Sequence, residues 1–226
     1  MTTEHGQSNR TVVFLHGMGE GPEAWDAQAA ALPAGFTGLA LPVFGTRDAD
    51  MLDFTLSGAV RALVADLDQR GLDVVDVCGL SLGAMVATQF AIDHPQRVRS
   101  LVLSGSQTRP NPILMKLQNA LIRVAGGQIA PEGMSKARLR QIVHELARID
   151  TREAVTTLSA PTLIMCGTRD RPNLPASRLL ARLIPGAQLQ IVPGAVHVWN
   201  TQKPEEFSRR INEFFVDAIP TSAGEA

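Results

Sequence analysis

The chain has 226 residues, 45% of them apolar and 19% charged, with a formal net charge of −1. That size suits one domain with a sizeable core, or one domain carrying a small insertion. The charge balance gives no hint of nucleic acid or an acidic surface partner, and the longest apolar stretches are strand-sized, so nothing spans a membrane.

Short apolar runs alternate with helix-period stretches. Thr11 to Leu15 is β-branched and ends at His16-Gly17, which predicts a buried strand. Pro22 then opens a helix in which Trp25, Gln28, Ala29 and Leu32 share a face. Gly38 to Leu41 is a second strand, stopped by Pro42. Leu56, Val60, Leu63 and Leu67 step by four, three and four residues, the spacing of an amphipathic helix, and Gly71 ends it. Val74 to Cys78 is a third strand. Gly83 to His94 is apolar nearly all round, which predicts a buried helix closed by Pro95. Val98 to Leu103, Pro161 to Cys166 and Gln188 to Val192 complete six strands. Helices follow at Pro175 to Leu183 and Pro204 to Phe215, and the tail from Ile219 is expected to be loose.

Such alternation predicts an α/β fold: a mostly parallel sheet of about six strands, with helices on both faces. Residues 107 to about 155 break the rhythm. They hold helical patches, one at Leu114, Leu117, Leu121 and Val124 and another from Ser135 to Ile149, and eight basic residues against four acids. This stretch reads as a short helical cap inserted into a single domain over 1–226. Its basic side chains fit a solvated helix face better than a binding site for a carboxylate or phosphate.

Functional groups in parallel sheets gather at the carboxyl ends of the strands. Ser81 lies there, in Gly79-Leu80-Ser81-Leu82-Gly83, between a strand and an apolar helix. A sharp strand-to-helix turn crowds the backbone, and the flanking glycines relieve the crowding; the turn lifts the hydroxyl above the sheet and aims the Leu82 amide at a developing oxyanion. By itself the pentapeptide is equally a glycine-containing loop; the strand before it and helix after it make it a nucleophile elbow. A serine needs a base. Of the five histidines, His5 is in the polar N-terminal stretch, His94 sits at a helix end where it caps carbonyls, and His144 falls in the cap. His197, just past the last strand in Gly194-Ala195-Val196-His197, can reach over the sheet. Asp170 follows strand five and supplies the carboxylate that orients the imidazole, although a turn aspartate paired with Arg169 or Arg171 is the plain alternative. The order Ser81, Asp170, His197 suits such a sheet. After the first strand, His16-Gly17-Met18-Gly19 offers a second oxyanion amide at Met18, with His16 as a structural hydrogen bonder. Met18, Leu82, Val196 and Trp199 are candidate apolar walls of a substrate pocket.

These elements together resemble the α/β-hydrolase superfamily, and more narrowly its small cap-bearing serine esterases, over nearly all of Thr11 to Phe215. The resemblance implies a parallel-rich sheet, a helical lid after the fourth strand and a Ser-His-Asp triad. There are departures. Ten residues precede Thr11, so the family's early antiparallel hairpin is expected to be missing. Leu41-Pro42-Val43-Phe44-Gly45 stands where relatives carry an Asp-x-x-Gly-x-Gly-type turn, without the Asp. Serine at the elbow, rather than aspartate, argues against the dehalogenase and epoxide-hydrolase branches. The expected chemistry is acyl transfer on a small-molecule ester or thioester, with no metal or organic cofactor. Relatives with the same triad cleave carbon–carbon bonds or act as hydroxynitrile lyases, and some members of this fold are slow-turnover ligand receptors; these stand as alternatives. The polar Met1 to Arg10 lacks a signal-like run, and Cys78 and Cys166 read as reduced core thiols, so a cytoplasmic protein is expected.

Overall fold

Each apolar run forms a strand: β1 (Arg10–Leu15), β2 (Phe36–Leu41), β3 (Val75–Leu80), β4 (Val98–Ser104), β5 (Thr162–Gly167) and β6 (Gln188–Val192). The computed structural model describes residues 9–50, 53–110 and 133–218. The patch at Leu114, Leu117, Leu121 and Val124, the tail from Ile219 and His5 lie outside the described residues. Every neighbouring pair of strands is parallel, in the order β2-β1-β3-β4-β5-β6. No antiparallel pair occurs among the described residues. The order reverses between β1 and β3, and a crevice opens at such a switch point, outside the carboxyl ends of those strands.

Period-two alternation sorts the strand side chains onto two cores. Val13, Leu15, Val75 and Val77 face helices α2 (Leu56–Gln69), α3 (Leu82–Asp93) and α5 (Leu174–Leu183). Val12, Phe14, Cys78 and Leu80 face the opposite layer, where Trp25, Trp199, Phe207, Ile211 and Phe215 are wholly buried. Both cysteines are free and buried. Helix α2 starts at Thr55, whose hydroxyl accepts the Gly58 N–H at 2.9 Å, a side-chain cap.

The first helix differs from its expected form. A 3₁₀ turn over Pro22–Trp25 passes into a short α1 (Asp26–Ala30), which ends before Leu32. Pro33 disfavours helical backbone at Leu32, and the short element is held from outside: Trp25 stacks on Phe14 at 5.1 Å, and Gln28 donates to the Asn200 carbonyl at 3.0 Å.

Between β4 and β5 the described residues include one helix and a 3₁₀ turn over Ala154–Thr157. Helix α4 (Lys136–Leu146) is capped by Ser135 and buries Leu139, Ile142, Val143 and Leu146 in the α2/α3 core. Gln141 accepts the Phe54 N–H at 3.0 Å, tying α4 to the chain before α2. Two basic side chains of this segment are paired: Arg152 lies 2.7 Å from Asp150, and Arg138, whose side chain is only 9% exposed, lies 3.5 Å from Asp53.

At the amino end of the sheet, Asp76 is wholly buried. It accepts from Arg10 at 2.9 and 2.6 Å and from Ser100 at 2.6 Å. Arg10 also donates to the Phe215 carbonyl at 3.0 Å, clamping α7 (Pro204–Asp217) to β1. The remaining helix, α6 (Trp199–Gln202), sits between the β6 loop and α7.

Candidate active site

The turn from β3 into α3 is built by close approach. Gly79 and Gly83 have no room for a Cβ: at Gly79 it would lie 2.6 Å from the Ala84 backbone, and at Gly83 it would strike the Leu15 carbonyl. Bulk at either position would push α3 away from the strands. The turn itself is made by Ser81, the one described non-glycine residue with positive φ, at +54°. That conformation is costly for an L-residue, about 1–3 kcal/mol, and survives where its surroundings hold it. The Ser81 amide donates to the Ser104 carbonyl at 2.9 Å, and the Ser81 carbonyl accepts from Met85 at 3.1 Å. The Ser81 side chain does not cap α3. Its hydroxyl is therefore not spent on the helix end, and Leu82 stands at the first helical position, where amides lack intrahelical acceptors.

Asp170 and His197 meet at the next strand ends. Asp170 sits in the turn after β5, donating its amide to the Gly167 carbonyl at 3.1 Å. Two bonds lace that turn to the loop after β6: Arg169 N–H to the Ala195 carbonyl at 3.0 Å, and Gly194 N–H to the Thr168 hydroxyl at 2.8 Å. This brings His197 Nδ1 to 2.7 Å from Asp170 Oδ2, with Asp170 buried and the imidazole 37% exposed. Nδ1 donates to the carboxylate, so Nε2 is left as an acceptor facing away from it. The side-chain partners of Asp170 are His197, Asn173 and the Cys166 thiol, not Arg169 or Arg171.

Gly105 joins the two halves. It follows Ser104, whose carbonyl holds the Ser81 amide, and it has φ of +61°. A Cβ there would lie 2.9 Å from His197 Cε1, 3.0 Å from Nδ1 and 3.4 Å from Asp170 Oδ2. The imidazole thus lies directly against the bare Cα beside the serine turn.

Three further residues escaped the sequence reading: Gly105 and Asn173, which support this arrangement, and Glu20, which stands in the neighbouring β1 loop. Asn173 Nδ2 donates to Asp170 Oδ1 at 2.9 Å and Oδ2 at 3.0 Å, and its own Oδ1 accepts from Gln107 at 2.5 Å. Glu20 accepts the Gly17 N–H at 3.0 Å in the β1 loop. Gly105 has a weak local signal, a glycine at a strand's carboxyl end; Asn173 has another, a polar residue opening a proline-containing helix.

The β1 loop is fixed by His16, which is 1% exposed. Val43 N–H can only donate, so His16 Nε2 accepts it at 3.0 Å, and Nδ1–H donates to the Gly17 carbonyl at 2.8 Å. Both bonds require the neutral ring. Burial holds the His16 pKa below its ordinary value, with the Gly17 bond acting the other way. His16 is thus the structural bonder expected, and Val43 belongs to the segment that lacks the Asp of the usual turn.

The expected pocket wall needs correction. Trp199 is wholly buried in the opposite core, 4.4 Å from Phe207, and its indole N–H donates to the Ser104 hydroxyl at 2.9 Å. A large flat apolar side chain gains more from the core than from a pocket rim, and its N–H needs a partner there. Trp199 anchors the His197 loop under β4. The Leu82 side chain is also buried, at 2% exposure, whereas Met18 and Val196 are half-buried. His144 is exposed on α4, and His94 lies against the Phe90 ring at 5.6 Å.

A family model described as the alpha/beta hydrolase family matches residues 12–210. The chain belongs to that family. It is 30% identical to a 2-hydroxy-6-oxononadienedioate/2-hydroxy-6-oxononatrienedioate hydrolase of Klebsiella pneumoniae, over 94% of this chain and 89% of that protein. It is 27% identical to a pimeloyl-[acyl-carrier protein] methyl ester esterase of Edwardsiella ictaluri, over 92% and 94%. Among solved structures, the enol-lactonase of Burkholderia xenovorans LB400 superposes with a TM-score of 0.82 at 19% identity, covering 94% of this chain and 93% of that one. The family's hydrolases and esterases are in keeping with serine-type hydrolysis. No helix among the described residues is long and apolar enough to cross a membrane.

Proposed function

We propose that this chain hydrolyses a small carboxylic ester or thioester through an acyl-enzyme on Ser81. The observation that carries the reading is the convergence at the end of β4: Ser81 hung from the Ser104 carbonyl, and the Asp170–His197 pair seated on Gly105. In this mechanism His197 Nε2 takes the Ser81 proton as Oγ attacks the carbonyl carbon. The Met18 and Leu82 amides hold the tetrahedral oxyanion. His197 then protonates the departing alcohol or thiol, and the carbonyl re-forms as the Ser81 acyl ester. Water, deprotonated by His197, attacks that ester and releases the acid, returning the proton to Ser81. Asp170 holds the imidazole in one tautomer and stabilises its charged form throughout. Two oxyanion amides lower the barrier by about 3 kcal/mol each.

In this reading the domain is single, its cap is the insertion over about 107–155, of which 111–132 lie outside the described residues, and Val196 and Met18 border the acyl group. The two reduced thiols suit a cytoplasmic protein. The Klebsiella relative favours a second reading, hydrolysis of a 2-hydroxy-6-oxo-dienedioate of the kind that protein is named for.

Treatment with a fluorophosphonate, followed by peptide mapping, together with turnover of short-chain aryl esters and thioesters, tests the proposal. Labelling confined to Ser81 and turnover abolished in Ser81→Ala are expected. Absence of both labelling and turnover in the native chain refutes it.

A further inference from the structure

The β1 loop carries a carboxylate next to the candidate nucleophile. Glu20 N–H donates to the Gly17 carbonyl at 3.3 Å, and Glu20 Oε2 accepts the Gly17 N–H at 3.0 Å. These two hydrogen bonds to one residue fold Glu20 back over the loop. A methyl group on Gly17 would lie 2.7 Å from Glu20 Oε2 and 3.6 Å from Ser81 Cβ. Carboxylate and nucleophile therefore border the same methyl-sized space.

Glu20 also lines a cavity of about 320 Å³, bounded by Glu23, Thr46, Arg47 and Met134. Glu23 and Arg47 are the other two charged groups there. A Cβ on Gly21 would strike both carboxylate oxygens of Glu23 and lie 2.6 Å from the Arg47 guanidinium, so these groups share one corner. Glu20 is left with a neutral amide as its direct partner. It is half-buried, and that burial holds its carboxyl above the usual range, while the Gly17 amide and the field of His197 act in the opposite direction.

An ionised carboxylate that borders the space beside Ser81 repels negative charge developing there. It raises the barrier for a substrate that adds negative charge, and a cation on the substrate offsets it, most of all in the transition state. We infer that Glu20 selects the substrate by charge, favouring esters with a cationic group close to the scissile carbonyl over neutral ones, and neutral over anionic ones. This rests on the hydrolase reading of Ser81. The competing explanation is a loop clamp, in which Glu20 only holds Gly17.

Glu20→Gln separates the two, because its amide oxygen still accepts the Gly17 N–H while the charge is gone. The measurement is kcat/KM for two matched pairs: butyrylcholine against its uncharged isostere 3,3-dimethylbutyl butyrate, and monomethyl succinate against methyl levulinate. In the native chain the cationic member is expected to lead its partner about tenfold and the anionic member to trail by about tenfold, both gaps shrinking in 0.5 M salt. In Glu20→Gln both ratios fall to within about twofold, and Ser81 labelling by fluorophosphonate persists. Equal ratios in the native chain and the variant overturn the inference, as does a uniform loss across all four esters. If Ser81 labels and esters turn over while the ratios are flat, the charge filter alone fails. If nothing labels or turns over, the hydrolase reading fails and the inference with it.

Discussion

Gly105→Ala tests whether the Asp170–His197 pair must sit where the structure places it. The residue has φ of +61°, a conformation costing an L-residue about 1–2 kcal/mol. The added methyl would lie 2.9 Å from His197 Cε1, whereas carbon atoms at rest stand about 3.5–4.0 Å apart. Gly105 cannot retreat easily, since its amide donates to the Met165 carbonyl at 3.0 Å within the sheet. His197 is the part that yields, being partly exposed on a loop, and it must move by about 0.6–1 Å to restore ordinary contact. A misplacement of that size costs about a hundredfold in rate. The expected result is a kcat about a hundredfold lower on a good ester, with KM nearly unchanged. The melting temperature should fall by only about 2–8 °C, since each kcal/mol is worth about 2–4 °C for a chain of this size. Steady-state kinetics and a thermal melt on the same sample check both. A Gly105→Ala chain with kcat within threefold of the native one refutes the placement of His197 as the base.

Removing Asn173 tests the carboxylate's support. Asn173→Ala deletes the donor to both Asp170 oxygens, and kcat is expected to fall about tenfold with KM held, because bonds to charged groups are worth about 1.5–3 kcal/mol and only part of this reaches the transition state. Asp76→Ala acts at the other end of the sheet. It strands the Arg10 guanidinium at 9% exposure, so unfolding in urea should show a loss of about 3–5 kcal/mol, while kcat at 25 °C stays within twofold. His16 gives a pH signature. Its folded pKa lies below 6.5, so above pH 6.5 both folded and unfolded chains are neutral there and its contribution is complete. As pH falls from 6.5 through the lowered value, the unfolded chain takes up the proton first and stability is lost. Glu20, with its raised carboxyl, acts with the opposite sign at lower pH. Denaturation curves at pH 7.5 and 5.5 should show a stability loss in the native chain that His16→Gln lacks.

The six strands were legible because alternation and β-branching are local properties. Thr11 to Leu15 reads as a strand from its own residues; the bounds of β1 to β5 shifted by one or two residues, β2 starting at Phe36 rather than Gly38, and only β6 kept its expected ends. Trp25 was less legible. Its helix was expected to reach Leu32, yet Pro33 stops it earlier, and what holds the short form is stacking on Phe14 and a bond from Gln28 to a carbonyl 172 residues away. No window on the sequence contains those partners.

For the candidate site, the sequence by itself determined which chemical groups stand at strand ends and in what order: Ser81, Asp170, His197, and the amides of Met18 and Leu82. Residue type, glycine spacing and strand boundaries carry that information, and all are written locally. The tertiary structure alone decided which groups meet. It seated His197 on Gly105, put Asn173 under both oxygens of Asp170, and folded Glu20 back onto the Gly17 amide beside Ser81. It also moved Trp199 from an expected pocket wall into the core. Each of these depends on a contact between segments far apart in the chain, and such contacts follow from packing and from the need to pair buried polar groups, which no periodicity in one segment records.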